Sequence, residues 1–164
     1  MLSKEWDNAS RPVEIVRFFG LLIINLGSIT DISGYKDLSA NENLLLYSVD
    51  TVSRREYTLY IKDLSNDKIL NDKIDNTTGS AVWANDNKTI FYTRQDSITL
   101  RSYQIYKHVL GTSQDKDVLV YEEKDETFNC YVTKSKSNKY ILIGSYQTLS
   151  NEYRYIDANN PNDK

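Results

Sequence analysis

The sequence predicts an all-β chain: a partial β-propeller of about three four-stranded antiparallel blades. Three observations predict it. Apolar strands entered from polar turns recur at a spacing of 45 to 52 positions, the range of propeller repeats with four short strands each. Thirteen of the 164 residues are tyrosine, a side chain that suits a half-buried pleated surface. No stretch keeps a 3.6-residue apolar period for three turns, which argues against a helical solenoid of similar period.

The copies can be taken in order. "NLLLYS" (43–48), "NKTIFYT" (87–93) and "KYILIGS" (139–145) are apolar strands, entered from "SANEN", "ANDNK" and "KSNK". The Asn, Asp and Ser of these turns tolerate left-handed or Asx-type backbone. Tyr47 and Tyr92 are 45 positions apart and Tyr92 and Gly144 are 52 apart, so the repeat is expected to carry an insertion, with Gly144 as the third counterpart. Each strand is followed by a second β-rich run: "REYTLYIKDL" (55–64), "RSYQIYKHVL" (101–110) and "NEYRYIDANN" (151–160). The expected blades are 31–75, 76–126 and 127–164, joined by 71–80 and 122–128. Trp83 is expected to pack between neighbouring sheets, with "NDN" making a hairpin into the central strand "TIFYT".

Residues 1–30 form a lead-in with no copy of the repeat, and "NLGSITDIS" (25–33) reads at most as the end of a preceding strand. The apolar run "FFGLLIINL" (18–26) is shorter than the roughly 20 residues a membrane span requires. Glu5, Asp7 and Glu14 replace the basic head of a signal peptide. A buried strand or short helix is expected there, and no membrane partner.

Twenty basic and twenty-three acidic side chains give a net charge of −3, which offers no electrostatic footprint for nucleic acid. With Cys130 as the single cysteine, no internal disulfide forms and the chain reads as cytoplasmic. Asn-x-Ser/Thr triplets at Asn8, Asn76 and Asn87 are read as chance in an asparagine-rich chain.

No catalytic, cofactor-binding or metal-binding residue is assigned. The six glycines never fall in the Gly-x-Ser-x-Gly spacing of a serine hydrolase elbow. Phosphate loops and His/Cys clusters are missing from the sequence, so no cofactor is expected. His108, the single histidine, is the one base of its type, and its place inside "YQIYKHVL" favours a structural role. Glu122, Glu123, Asp125 and Glu126 lack the glycine and alternation of a calcium loop and read as a solvated connector. Arg54 and Arg55 read as a charged loop tip rather than a contact for an acidic partner.

"DTVSRREYTLYIKDL" (50–64), "NTTGSAVWANDNKTIFYTRQD" (76–96), "LRSYQIYKHVLGT" (100–112), "DVLVYEEKDETF" (117–128) and "EYRYIDANNP" (152–161) closely resemble oligopeptidase B, or protease II, sequences of the prolyl oligopeptidase family of serine peptidases. The resemblance runs from about residue 38 to the C-terminus and covers loops as well as strands. It implies a seven-bladed N-terminal propeller that gates access of short peptides to an α/β-hydrolase catalytic domain, with cleavage after Arg or Lys. This chain is expected to supply about three blades and to stop before the catalytic Ser, Asp and His, so by itself it is expected to be inactive. A stand-alone interaction module, self-associating through uncovered blades, is the alternative.

Overall fold

The computed structural model describes residues 35–163 in full, and of the lead-in the backbone of 16–18 and 21–23. The chain divides into units 1–30 and 31–164. In the first, β1 (Val16–Phe18) pairs antiparallel with β2 (Leu21–Ile23), so part of the apolar run is strand. The rest of 18–26, and all of 25–33, lie outside the described residues.

In the second unit every described strand pairing is antiparallel and joins strands that are consecutive in sequence. β3 (Lys36–Leu38), β4 (Leu44–Val49), β5 (Tyr57–Asp63), β6 (Lys68–Trp83), β7 (Thr89–Gln95), β8 (Ser102–Val109) and β9 (Val118–Glu122) form one sheet in that order. β10 (Asn129–Lys134), β11 (Tyr140–Tyr146) and β12 (Asn151–Asp157) form another. This is the partial propeller the repeat predicts, except that the third ladder has three strands among the described residues rather than four.

The seven-stranded sheet is two ladders sharing a strand. The first half of β6 pairs with β5, from Asp63↔Lys68 to Tyr57↔Thr77, and the second half with β7, from Thr77↔Arg94 to Trp83↔Ile90. Residues 71–80, expected to be a connection, are therefore the middle of a 16-residue strand. The turn chemistry of "NTTG" is still used: Asn76 and Gly79 have φ of +58° and +85°, and register shifts flank them. A Cβ on Gly79 would lie 3.0 Å from Cγ of Tyr57 and 3.1 Å from Oγ of Ser48, so this kink needs both the freedom and the small size of glycine.

The hairpins align the ladders residue by residue. Left-handed residues fall at Glu42, Asn87 and Asn138, and the loops close with Ser39 N to Leu44 O, Ala84 N to Thr89 O and Ser135 N to Tyr140 O at 2.8–3.0 Å. From 42 to 87 to 138 the spacings are 45 and 51. The counterpart of Tyr47 and Tyr92 is thus Ile143, not Gly144. A one-residue slip exchanges the two faces of a strand: Ile143 enters the core, whereas Gly144 pairs with Tyr131 and lies beneath its ring. The tyrosine pattern continues across strands, with Tyr47 stacked on Tyr60 at 5.7 Å and Tyr92 on Tyr106 at 5.9 Å.

Two apolar layers hold the ladders together. One gathers Leu46, Leu59, Ile61 and Ile74 of the first ladder with Ala81, Trp83, Ile90 and Tyr92 of the second. The other gathers Val82, Ala84, Phe91 and Ile105 of the second with Cys130, Val132, Ile141 and Ile143. Consecutive residues in β6 and β7 serve opposite layers, as a pleated strand buried on both faces must. Trp83, 0% exposed, lies in the first layer as expected.

Trp83→Ala is expected to lower stability by about 3–5 kcal/mol, the usual cost of emptying a large core site, as measured by denaturant unfolding. Gly144→Ala places a methyl 2.6–2.9 Å from the Tyr131 ring and hydroxyl and is expected to cost about 1–3 kcal/mol through overpacking. Most of that loss should be recovered in the double variant with Tyr131→Ala.

Candidate functional site

The second ladder meets its neighbours along two seams, and most of the chemically capable side chains lie in these seams. At the first, His108 on β8 sits between two carboxylates. Its Nδ1 is 2.7 Å from Asp117 Oδ1 and its Nε2 is 3.2 Å from Asp72 Oδ1. Tyr92 donates its hydroxyl to the other oxygen of Asp117 at 2.8 Å, and the Gly111 N–H donates to Asp72 at 2.6 Å. The imidazole is 1% exposed. Burial works against its charge, yet the hydrogen bonds and charges of Asp117 and Asp72 outweigh it and raise the pKa above the ordinary 6.5. This ring is buried and occupied on both sides, so it is not placed to take a proton from a substrate.

The second seam carries a different polar group. Tyr121 donates to Glu123 at 2.6 Å and lies 2.9 Å from the buried hydroxyl of Ser145. The Arg154 guanidinium covers the Tyr121 ring at 4.4 Å. Burial disfavours the Glu123 charge, but hydrogen bonds from Tyr121 and Ser145 hold its carboxyl below the usual range. Nearby, Cys130 is buried, and desolvation, helped by Glu123, pushes its thiol up to about 12, which removes the thiolate needed for nucleophilic chemistry.

The inner strands are cross-braced as well. Asp37 of β3 accepts from the Trp83 N–H at 3.2 Å, and burial raises its pKa. Ser80 donates to the Val132 carbonyl at 3.1 Å.

A recess of ≈ 450 Å³ opens between Asp96, Thr99, Arg101, Tyr103 and Glu126. Arg101 is committed to the connector between the second and third ladders, donating to the carbonyls of Phe128, Glu123 and Asp125 at 2.7–2.9 Å. Asp96 accepts the N–H and hydroxyl of Thr99 and the N–H of Ile98, bonds that hold its carboxyl low. The recess thus has an arginine with three of its five N–H donors in use and a carboxylate closing its own turn.

The other residues singled out in the sequence are similarly occupied. Glu122 accepts from Gln104 at 2.8 Å, and Asp125 accepts from Thr127. Arg55 lies on the exposed β4–β5 loop, where its N–H donates to Asp50 and its carbonyl accepts from buried Gln95; Arg54 beside it is exposed. Among the described residues no group of three or more His, Cys, Asp or Glu side chains is arranged to hold a metal. No described helix is long and apolar enough to cross a membrane. Asp72, Asp117 and Arg101 escaped the sequence reading because each acts through a partner 9 to 36 positions away. The buried His108 inside a strand was the available signal.

Residues 25–164 match the family described as "Prolyl oligopeptidase, N-terminal beta-propeller domain". The chain is 38% identical over 128 residues to dipeptidyl aminopeptidase BI of Pseudoxanthomonas mexicana, covering 78% of this chain and 18% of that protein. It is 34% identical over 126 residues to protease 2 of Moraxella lacunata, covering 76% and 18%. Oligopeptidase B of Leishmania major superposes with a TM-score of 0.70 at 29% identity, over 74% of this chain and 17% of that one. Oligopeptidase B of Trypanosoma brucei, in a closed form with covalently bound antipain, gives 0.68 at 26%, over 76% and 17%. The chain therefore spans less than a fifth of the length of these relatives.

Arg101→Ala is expected to free residues 123–128. Limited digestion by a lysine-specific protease should then cut after Lys124 at least about tenfold faster, in line with the loss of charge-assisted hydrogen bonds.

Proposed function

The chain belongs to the prolyl oligopeptidase family, and on that premise we propose that it is part of the substrate-gating propeller of a serine endopeptidase that cleaves short peptides after Arg or Lys. In this reading an α/β-hydrolase domain supplies the catalytic Ser, Asp and His, and no residue of this chain touches the scissile bond. Its blades are 31–75, 76–126 and 127–164, following the lead-in of 1–30, and the working compartment is the cytoplasm.

The match of residues 25–164 to the N-terminal propeller domain carries this reading. The relation to protease 2 and to the oligopeptidase B structures supports the peptidase assignment. The seams described above support a scaffold role, because their titratable groups are spent on one another.

The far face of the third ladder bears on the partner. Leu142 and Tyr153 stand where the second ladder has Phe91 and Ile105. Ile105 is covered completely by the third ladder, whereas Tyr153 is 62% exposed and Tyr155 beside it 73%. Tyr131, Tyr140 and Tyr146 extend this face. Continuity of the stack makes a further antiparallel sheet its partner, with apolar side chains seated among the rings. The same tyrosine face is what favours the second reading, a stand-alone module that associates with a copy of itself.

Purified free of host peptidases, the chain is expected to show no turnover of short reporter peptides ending in Arg or Lys. Turnover that survives purification to homogeneity would contradict the assignment. On size-exclusion chromatography the chain is expected to run larger than a monomer in a concentration-dependent way, and Tyr153→Lys with Tyr155→Glu should return it to monomer.

A further inference from the structure

We infer that His108 is a pH-responsive latch across the seam between the first two ladders: as an imidazolium it ties Asp72 of the first ladder to Asp117 of the second, and on losing one proton it releases Asp72. The inference rests on the packing of the ladders and stands apart from the peptidase reading.

Ionised carboxylates only accept, and a neutral imidazole has a single N–H. With Asp117 at 2.7 Å from Nδ1 and Asp72 at 3.2 Å from Nε2, both contacts are hydrogen bonds only when both ring nitrogens are protonated. Deprotonation leaves one N–H for two carboxylates. The shorter contact keeps it, because Asp117 is 2% exposed and fixed from behind by the Tyr92 hydroxyl. The proton lost to solvent is then the one on Nε2, and its lone pair faces the Asp72 carboxylate. Asp72, 9% exposed at the rim of the seam, then has the Gly111 N–H as its one remaining anchor; facing a lone pair, it swings toward solvent and uncovers that amide.

The alignment of the ladders supplies an independent observation. His108 pairs with Ile90, as Lys62 pairs with Leu45 and Ile156 with Ile141. Lys62 thus occupies the same place in the first ladder, is 4% exposed, and forms an ion pair with Asp67. Two ladders therefore bury a cation at this position and give it a carboxylate. The third uses isoleucine. Where the first ladder has a lysine, the second has the side chain whose unperturbed pKa lies nearest the physiological range.

The groups that face the imidazole are Asp72 from β6 and Asp117 from the segment entering β9, with Tyr92 of β7 behind Asp117. Arg94 of β7 acts on Tyr92, whose own pKa burial and Asp117 raise well clear of this range. The direction follows from linkage. A histidine whose folded pKa exceeds the ordinary 6.5 contributes its full stabilisation below 6.5 and loses it as pH rises through the folded value. The latch is closed in mild acid and opens toward alkaline pH.

Because His108 is the single histidine of the chain, its nitrogen resonances report the latch directly. In the intact chain, nitrogen-15 titration should show one imidazole protonated on both nitrogens at pH 6.5, with a midpoint above 6.5. Hydrogen exchange at the Gly111 N–H should lose protection through the same midpoint. Asp72→Asn should lower the midpoint, and His108→Lys, which copies Lys62, should keep Gly111 protected across the range. A midpoint at or below 6.5, a midpoint unmoved by Asp72→Asn, or Gly111 protection that ignores the titration would each overturn the latch.

Discussion

The second ladder has neighbours on both faces, and that constraint governs the rest of the chain. A strand with one wet face can alternate apolar and polar residues, but one with two dry faces must be apolar almost throughout. "AVWA" at 81–84 and "TIFYT" at 89–93 meet that demand, sending Trp83, Ile90 and Tyr92 one way and Val82, Ala84 and Phe91 the other. Polar groups that enter these layers must bring partners with them. Tyr92 reaches Asp117, Tyr121 reaches Glu123 and Ser145, and His108 takes two carboxylates.

The two seams are cemented differently. The first centres on a tryptophan and closes at its rim with a buried charge network. The second is mostly aliphatic around Phe91 and closes with a phenol, a carboxylate and a guanidinium stacked on the ring. Further links accompany the second: the Asn85 backbone N–H donates to Ala158 O at 2.7 Å, and its side-chain amide donates to the Asn138 carbonyl and to Asn159 Oδ1. A buried ion pair gains little net stability over an apolar replacement, so apolar burial supplies most of the cohesion. What distinguishes the first seam is a histidine held between two carboxylates; the second is closed by a single carboxylate, Glu123.

Most of the architecture was legible in the sequence because a repeat reports itself: turn residues, tyrosines and apolar runs return in the same order. The strand class, the hairpin at "NDN" and the interior place of Trp83 followed from local pattern. The register of the third copy did not. "YILIGS" aligns almost equally well on Gly144 or Ile143, and only the closing hydrogen bonds of the hairpin choose between them. The passage between the first two ladders was also opaque, since "NTTGS" carries turn chemistry while its threonines and Ile74 sustain a strand. Of the seams, His108 was visible as a lone polar residue in an apolar run, but its partners lie outside that run, Asp72 in 71–80, which reads as a connection, and Asp117 in the polar turn that follows. Side chains that act in pairs across a joint leave no periodic trace.

β6 belongs to two ladders at once, whereas β10 begins a separate sheet after the loop 123–128. The repeat is thus not an interchangeable brick. Cutting, permuting or grafting between the first two copies would sever a continuous ladder and leave ragged edges on both pieces, while the junction before Asn129 can be opened at a loop. Fragment boundaries drawn from the period alone would fall in the wrong place, and shuffling of such copies during evolution would meet the same obstacle.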